Sequence, residues 1–495
     1  MMTHTIRARI TSLVRKLWLE YCEENSISTI KFLITKNQGL IDRVWWMIWI
    51  VMAIILGVFS AISTYIKWMD NPVYISYATQ LISVRQVPFP AVTICTTVQN
   101  RIDSFNLTDS ATRFRQNVVL KDSEYINIRA LAHVCPYVSD WISFNDKLSV
   151  STVDILKKLA VNASDLLGGW MWANELYSSN TLWPETITDS GICFTFNAVA
   201  AENLYRLENL HNGFSYSGAS GESNDWFRES GYRSDSNLDA HPKRALGPGI
   251  PFGLWLELFT FLKDEDLFCN GPSNGFKILV HPPDEVPTLD HSHYRLGLGD
   301  TMTLTIKPQT TTTSSALRSQ SVQHRQCFFE NERYLRFFKI YNQHNCIQEC
   351  LANFTYSLCG CVKFSMPRSV DMRECDASEI DCYSGAHMEM YARTVGKIND
   401  HPCGCLPACT SLSYDVEISS QPFDVAATLN ARGTKDYGID YTLLRVNIKD
   451  KWILATIRQE LMGFSDSVGN LGGLFGLMMG ASLMSILEIV YFCLE

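Results

Sequence analysis

The chain has 495 residues, of which 46% are hydrophobic and 19% charged, and it carries a formal charge of −9. An acidic balance argues against nucleic acid and for attracting cations, with solubility alone as the plainer alternative. Sixteen cysteines point to an oxidising compartment for most of the chain.

Residues 1–43 hold Arg7, Arg9, Arg15, Lys16, Lys31, Lys36 and Arg43 against Glu20, Glu23, Glu24 and Asp42. That basic excess places the N-terminus in the cytoplasm. Residues 44–66 then run without a charge, bounded by Arg43 and Lys67. At 1.5 Å per residue such a run reaches roughly 30 Å, enough to cross a bilayer core. It starts too late and is too long for a cleavable signal peptide, so it reads as a signal anchor. Trp45, Trp46, Trp49 and Trp68 near its ends suit membrane interfaces, and we assign it to a lipid-facing ring.

Residues 67–466 form the expected extracellular domain. Cys22 and Cys493 fall outside it; the other fourteen cysteines fall within, an even number. Asn106, Asn162 and Asn353 each open a glycosylation sequon on this side. Val87–Cys95 predicts a buried strand after two prolines. Residues 148–168 predict a helix, and 193–197 another strand. The Gly-, Ser- and Asn-rich 211–248 reads as an exposed excursion. Residues 276–281 predict a strand stopped by Pro282 and Pro283, and His281, Asp284 and Glu285 read as structural. Thr301–Pro308 predicts a strand, and Gln309–Ser315 a polar loop. The fold class is therefore a membrane protein whose two transmembrane helices flank a large disulfide-rich α+β domain.

Residues 327–409 hold ten cysteines. Cys346 and Cys350 share a face of a predicted helix. The simplest geometry for an antiparallel hairpin nests the pairs Cys327–Cys409, Cys346–Cys405 and Cys350–Cys403, with Cys359–Cys382 and Cys361–Cys375 closing the tip. A thiolate zinc site is the competing reading, and few histidines lie nearby to support it.

Residues 467–487 form the second apolar run, and 488–495 the cytoplasmic end. Gly469, Gly472, Gly473, Gly476 and Gly480 recur at spacings of three and four, a side-chain-free stripe. Such a stripe ordinarily marks close helix packing. Here it continues into Gly480-Ala481-Ser482, where small residues let a helix break and present carbonyls to a cation. Ser482 and Ser485 add hydroxyls, Leu477 and Asn470 fall along the same pore segment, and Glu488 marks an inner mouth or the membrane boundary. One helix encloses no pore, so an oligomer is required.

Together and in order, Phe89–Cys95, Cys193–Asn197, Gly275–Pro287, the ten-cysteine block and Gly469–Ser482 resemble the degenerin/epithelial sodium channel family along nearly the whole chain. Glu229–Tyr232 and Pro242–Gly247 are similar to its insect pickpocket branch. The resemblance implies a homo- or heterotrimeric, sodium-preferring, voltage-independent and amiloride-sensitive channel in the plasma membrane, with both termini cytoplasmic. It implies a palm β-sheet and a cysteine-rich thumb over 327–409, pairing of Cys95 with Cys193, and with it Cys135 with Cys269. Gly480, Ala481 and Ser482 match the selectivity filter, and Gly469 the degenerin position, where bulky side chains hold such channels open. Two positions depart from the pattern. The family's cytoplasmic His-Gly pair falls at Ser28-Thr29 and is absent, which puts normal gating or independent conduction in question. Acid-sensing members place an aspartate where this chain has Asn470.

Three function classes follow. The first is a sodium channel subunit gated by an extracellular ligand or stimulus, with sodium as its permeant ion and no cofactor or metal. The second is a non-conducting auxiliary or receptor subunit that needs a partner's pore. The third, a membrane-anchored ectoenzyme, lacks any GxSxG, HExxH or phosphate-loop pattern, so no catalytic residue is assigned.

Overall fold

A computed structural model describes residues 39–70, 73–148, 150–177, 182–211, 224–237, 240–393, 402–431, 433, 438–480 and 482–494. They divide into two compact units. One holds the chain up to Ile75, Ser314–Arg325 and Arg458 onward; the other holds Ser76–Thr313 and Gln326–Ile457.

In the first, helical unit, α1 (Leu40–Asp70) spans 31 residues. It overruns the expected 44–66 at both ends. It is the one helix among the described residues long and apolar enough to cross a membrane. Gly57 is its one buried residue, while Ile55 and Phe59 are 64% and 68% exposed. A face this apolar stays uncovered only where lipid or another chain meets it.

The principal strands of the large unit, in chain order, are β1 (Ala91–Thr96), β2 (Leu167–Trp172), β3 (Glu185–Thr188), β4 (Gly191–Phe196), β5 (Leu254–Phe261), β6 (Phe276–His281), β7 (Tyr294–Leu296), β8 (Asp300–Thr313), β9 (Ser411–Pro422) and β10 (Ile439–Ile448). One antiparallel sheet has the order β7-β6-β1-β4-β3. In the second, β8, β10, β5 and β2 lie side by side, and β9 pairs along the length of β8. Only β8 and β10 among these run parallel.

Side chains alternate across a strand, so every second residue faces the core. Leu254, Leu256 and Leu258 of β5, Met302, Leu304 and Ile306 of β8, and Leu444, Val446 and Ile448 of β10 do so. Phe89, Trp170, Trp172, Trp183 and Phe196 fill the same core with rings. Trp170 stacks on Tyr177 at 4.6 Å and meets Trp183 and Phe196 edge-on. Both β1 and β4 are buried along their whole length, as central strands covered on two faces. Gly275, just before β6, has φ +121, and a Cβ there would meet the Leu296 carbonyl oxygen at 2.2 Å. Only glycine fits that approach.

Three expectations change. The 148–168 helix is the shorter α2 (Thr152–Leu159), capped by Ser151, followed by one turn at Ala163–Leu166. From Leu167 the chain is already β2, because its aromatic residues pair with β5. The described part of 211–248 is not an exposed decoration: Trp226 and Ala245 enter the core. The threonines at 310–313 extend β8 instead of looping, since β9 supplies partners down to Thr311–Ser411. Threonine is β-branched and suits that role once a partner exists.

A second core gathers Leu335, Phe337, Phe338, Leu351, Met366 and Met390 around two helices, α3 (Gln343–Cys359) and α4 (Ile380–Ala392). Asn342 caps α3 by accepting from the Asn345 N–H, and Gly360 ends it in the left-handed region. Back in the helical unit, α5 (Phe464–Met479) and α6 (Leu483–Leu494) replace the single 467–487 run.

Candidate functional site

The second apolar segment is interrupted where its smallest residues stand. At the start of α5, Asp466 reaches back 3.2 Å to accept from the Gly463 N–H, as a capping residue does. The helix runs beside α1 and stops at Met479. Gly480 still donates to the Gly476 carbonyl at 2.9 Å, but its φ of +67 turns the chain out of the helix. A new helix starts at Leu483. Ser482 precedes it, and its N–H donates to the Ser485 hydroxyl at 3.1 Å. Ser485 thereby caps α6 and is 1% exposed. The result is a glycine-to-serine step between two helices, with a backbone that no longer satisfies itself as a continuous helix would.

Gly469, Gly472 and Gly473 have nothing within 4 Å of where a Cβ would sit. Their stripe therefore packs against no other described part of this chain. Asn470, Gly476 and Gly480 are likewise exposed, and Leu477 is 83% exposed. Glu488 lies inside α6, which continues past the expected boundary at Leu487 to Leu494. Ala481, Ser28 and Thr29 lie outside the described residues.

In the large unit all fourteen cysteines form disulfides. The pairs are Cys95–Cys193, Cys135–Cys269, Cys327–Cys409, Cys346–Cys405, Cys350–Cys403, Cys359–Cys382 and Cys361–Cys375. Five of them ladder the 327–409 region, tying α3 to the returning 403–409 segment and to α4. Cys361, Cys375 and Glu379 bring donor atoms close together, but a bonded disulfide offers no thiolate for zinc. Asn106, Asn162 and Asn353 are exposed.

Polar contacts that the sequence alone did not disclose tie 282–287 to α3. Asn342 and Asn345 donate to the Asp284 carbonyl, at 2.9 and 3.1 Å. The Val286 N–H donates to Asn345 Oδ1 at 3.2 Å, and His344 Nε2 donates to the Val286 carbonyl at 2.9 Å. Beneath them Arg228 forks onto Asp284 at 2.8 and 2.5 Å and reaches Glu285 at 3.1 Å. Burial opposes charge on this arginine, but the two carboxylates win and raise its pKa. Burial pushes Glu285 up to about 7, with Asp284 adding and Arg228 opposing. His281 is buried too: its Nδ1 donates to the Pro282 carbonyl, and Nε2 accepts from Thr93, both at 2.9 Å. Burial lowers its pKa to about 4, so it stays neutral. The structural role expected for His281, Asp284 and Glu285 is what their contacts describe. Arg228 carried no readable signal, because its partner lies 56 residues away.

The amiloride-sensitive sodium channel family model matches residues 21–492. Pickpocket protein 28 of Drosophila melanogaster is 25% identical over 97% of this chain and 78% of its own. The sodium channel protein Nach of the same organism is 23% identical, covering 97% and 87%. The human bile acid-sensitive ion channel is 23% identical, covering 92% and 82%. Among solved structures, a proton-activated chloride channel aligns with 91% of this chain and 98% of that one, at 8% identity and a TM-score of 0.26, too loose a superposition to carry a fold. These relatives are channels and not enzymes, and the present protein is a non-catalytic channel subunit. With that model matched from residue 21 to residue 492, the chain belongs to the amiloride-sensitive sodium channel family.

Proposed function

We propose that this protein is a pore-forming subunit of a trimeric, sodium-preferring, amiloride-sensitive cation channel of the plasma membrane, opened by an extracellular stimulus, with both termini cytoplasmic. The observation that carries the reading is the interrupted second segment. A glycine stripe whose Gly469, Gly472 and Gly473 meet no neighbour among the described residues runs into a helix break at Gly480. An uncovered stripe suits contact with other copies, and a broken backbone is tolerated at membrane depth where it lines a water-filled path. In this reading Gly480, Ala481 and Ser482 form the filter, their carbonyls and the Ser482 hydroxyl replacing part of the ion's hydration. Gly469 with Asn470 sets the gate, and α1 faces lipid. Ser485 supports the filter as a cap instead of lining it. Glu488 sits below. The 327–409 thumb and the two sheets receive the stimulus, and the three exposed sequon asparagines carry glycans.

The test is voltage clamp of cells expressing the chain alone with Gly469→Phe. A bulky ring at an open position should hold the pore apart. The expected result is a constitutive inward current that falls when bath sodium is replaced by a large impermeant cation and that amiloride blocks. No current from confirmed surface protein counts against a self-sufficient pore. The altered Ser28-Thr29 position favours one second reading, an obligate subunit conducting only with a related partner, and co-expression separates the two.

A further inference from the structure

A short hairpin in the large unit pairs Trp226 with Tyr232, and the chain then returns past Pro88 at Arg244. Tyr232 donates to the Pro242 carbonyl at 2.8 Å, and the Arg244 guanidinium lies 4.0 Å over the Tyr232 ring. These residues form one side of a cavity of about 490 Å³. Its other side is Thr310 and Thr312 near the end of β8, with Thr410 and Ser411 where β9 begins. Strand alternation decides which threonines face in. Thr311 meets Thr456 at 2.8 Å and Thr313 donates to the Cys409 carbonyl, so both are engaged elsewhere. Thr310 and Thr312 are left to the cavity, where Val87, Trp226 and Leu412 add apolar surface.

The charge on this wall is unbalanced. Arg228, Arg233 and Arg244 line it against Glu229. Asp284 and Glu285 neutralise Arg228 from beneath, and Glu229 accepts from the Glu330 N–H at 2.7 Å. Arg233 and Arg244 form no ion pair among the described residues; each lies over a ring, Phe227 and Tyr232. Through Nη2, Arg244 donates to the Ser236 carbonyl at 3.3 Å and to its hydroxyl. Its Nε is sealed from solvent; its Nη1 is not, and has no hydrogen-bond partner among the described residues. Ring stacking and the Ser236 bonds are the plain account of Arg244, since they pin the hairpin. They explain its position but leave its charge without a counter-charge in a half-enclosed site, where charged groups are ordinarily paired. An anion supplies the missing partner, because a guanidinium matches a carboxylate in shape as well as in charge. The volume falls within the range of small-molecule sites, about 300–1,000 Å³.

We propose that this cavity binds a small organic anion, a carboxylate on a compact apolar body. Arg244 is its principal contact through Nη1, and Arg233 adds charge at the same wall. Thr310, Thr312 and Thr410 offer hydroxyls to the remaining carboxylate lone pairs. Val87, Trp226 and Leu412 receive the apolar body, which is why an organic anion fits better than an inorganic one. Bound there, the anion would tie the 226–244 segment to β8 and β9. The site lies wholly within the large unit, so the inference holds whether or not the chain conducts alone.

The experiment is calorimetric titration of benzoate into the purified full-length chain in detergent at low ionic strength, with benzyl alcohol as the uncharged control. The expected result is one saturable benzoate site per chain and none for benzyl alcohol. Arg244→Gln should weaken benzoate binding about tenfold, since a hydrogen bond to a charged group is lost. Arg244→Lys should fall between, because it keeps the charge and loses the planar fork. Arg233→Gln should weaken binding about threefold, as expected of a more exposed charge. The Arg233 guanidinium makes no hydrogen bond among the described residues, so its variant should keep the ligand-free thermal midpoint. If Arg244→Gln misfolds, Arg244→Lys and Arg233→Gln decide the question. No saturable benzoate binding, binding that these variants leave unchanged, or displacement of benzoate by an equal concentration of inorganic phosphate overturns the proposal.

Discussion

Two of the cores in the large unit are stabilised in different ways. The sheet core closes on apolar area: aliphatic residues alternate inward from β5, β8 and β10 around a block of five aromatic rings. The thumb core around α3 and α4 is smaller and mixes sulfur with its apolar side chains, including Cys346, Cys350 and Cys405 themselves. It adds five covalent links and the polar strap to residues 282–287. A long helical hairpin buries too little surface to hold itself, so cross-linking of the unfolded chain substitutes for burial. The sheets carry one disulfide, between β1 and β4, and should therefore fail mainly by cavity formation, whereas the thumb should fail mainly by reduction.

The sharpest way to break this contrast is Trp170→Ala. Trp170 is fully buried and touches three other rings. Removing so large a side chain should cost about 3–5 kcal/mol, the range seen for aromatic-to-alanine changes in cores. The measurement is thermal unfolding of the full-length protein in detergent, with the disulfides intact. A loss below about 1 kcal/mol would mean that the sheet core is not the principal store of stability.

The ladder predicts a graded response. Cys327–Cys409 is the outermost rung, and the ring opened by its loss is bounded by Cys346–Cys405. That ring has about 23 residues, worth roughly 3 kcal/mol by loop-closure entropy. Replacing Cys346 and Cys405 together opens only the short ring bounded by Cys350–Cys403, worth roughly 2 kcal/mol. The outer double variant should therefore unfold at the lower temperature, even though both pairs sit in one hairpin. Equal losses would show that the rungs act through local packing and not through chain entropy.

How far these features could be read from sequence follows from how local they are. Strands β1, β4 and β6 were legible from runs of β-branched and aromatic residues next to Pro or Gly. The thumb pairs were legible because a hairpin makes nesting the simplest geometry. The halt in the second apolar run was legible as a possibility, since glycine, alanine and serine together permit it. What escaped depended on distant partners. The threonines of β8 look like a loop until β9, about a hundred residues later, pairs with them. Trp226 and Arg228 sit in a Gly- and Ser-rich stretch that reads as surface, and only Asp284 and the sheet core explain their burial. Ser485, read as an ion ligand, turns its hydroxyl back to cap its own helix. The cavity shared by Arg244 and Thr312 joins residues far apart in the chain and leaves no trace in spacing.

The smallest predicted effect lies where the two cores adjoin. His281 ends β6, accepts from Thr93 in β1, and leads through Pro282 into the segment strapped to α3. Its pKa falls from an ordinary 6.5 to about 4 on burial. A lowered histidine pKa means that the unfolded chain binds the proton first. The contribution of His281 is thus fully present above pH 6.5 and is lost as pH falls towards 4, at up to about 1.4 kcal/mol per pH unit. Glu285 acts in the opposite sense, since burial raises its pKa to about 7 and favours the folded state as acid is added. The net slope of the wild-type protein mixes the two, so the informative quantity is the difference between wild type and His281→Gln. Glutamine keeps an acceptor for Thr93 but cannot titrate. The variant should be less stable at pH 7.5 and should lose less stability between pH 6.5 and 4. A parallel pair of stability curves would show that His281 is not held neutral in the fold, and would make the β6 end a polar, solvated edge of the sheet instead of a dry joint between sheet and thumb.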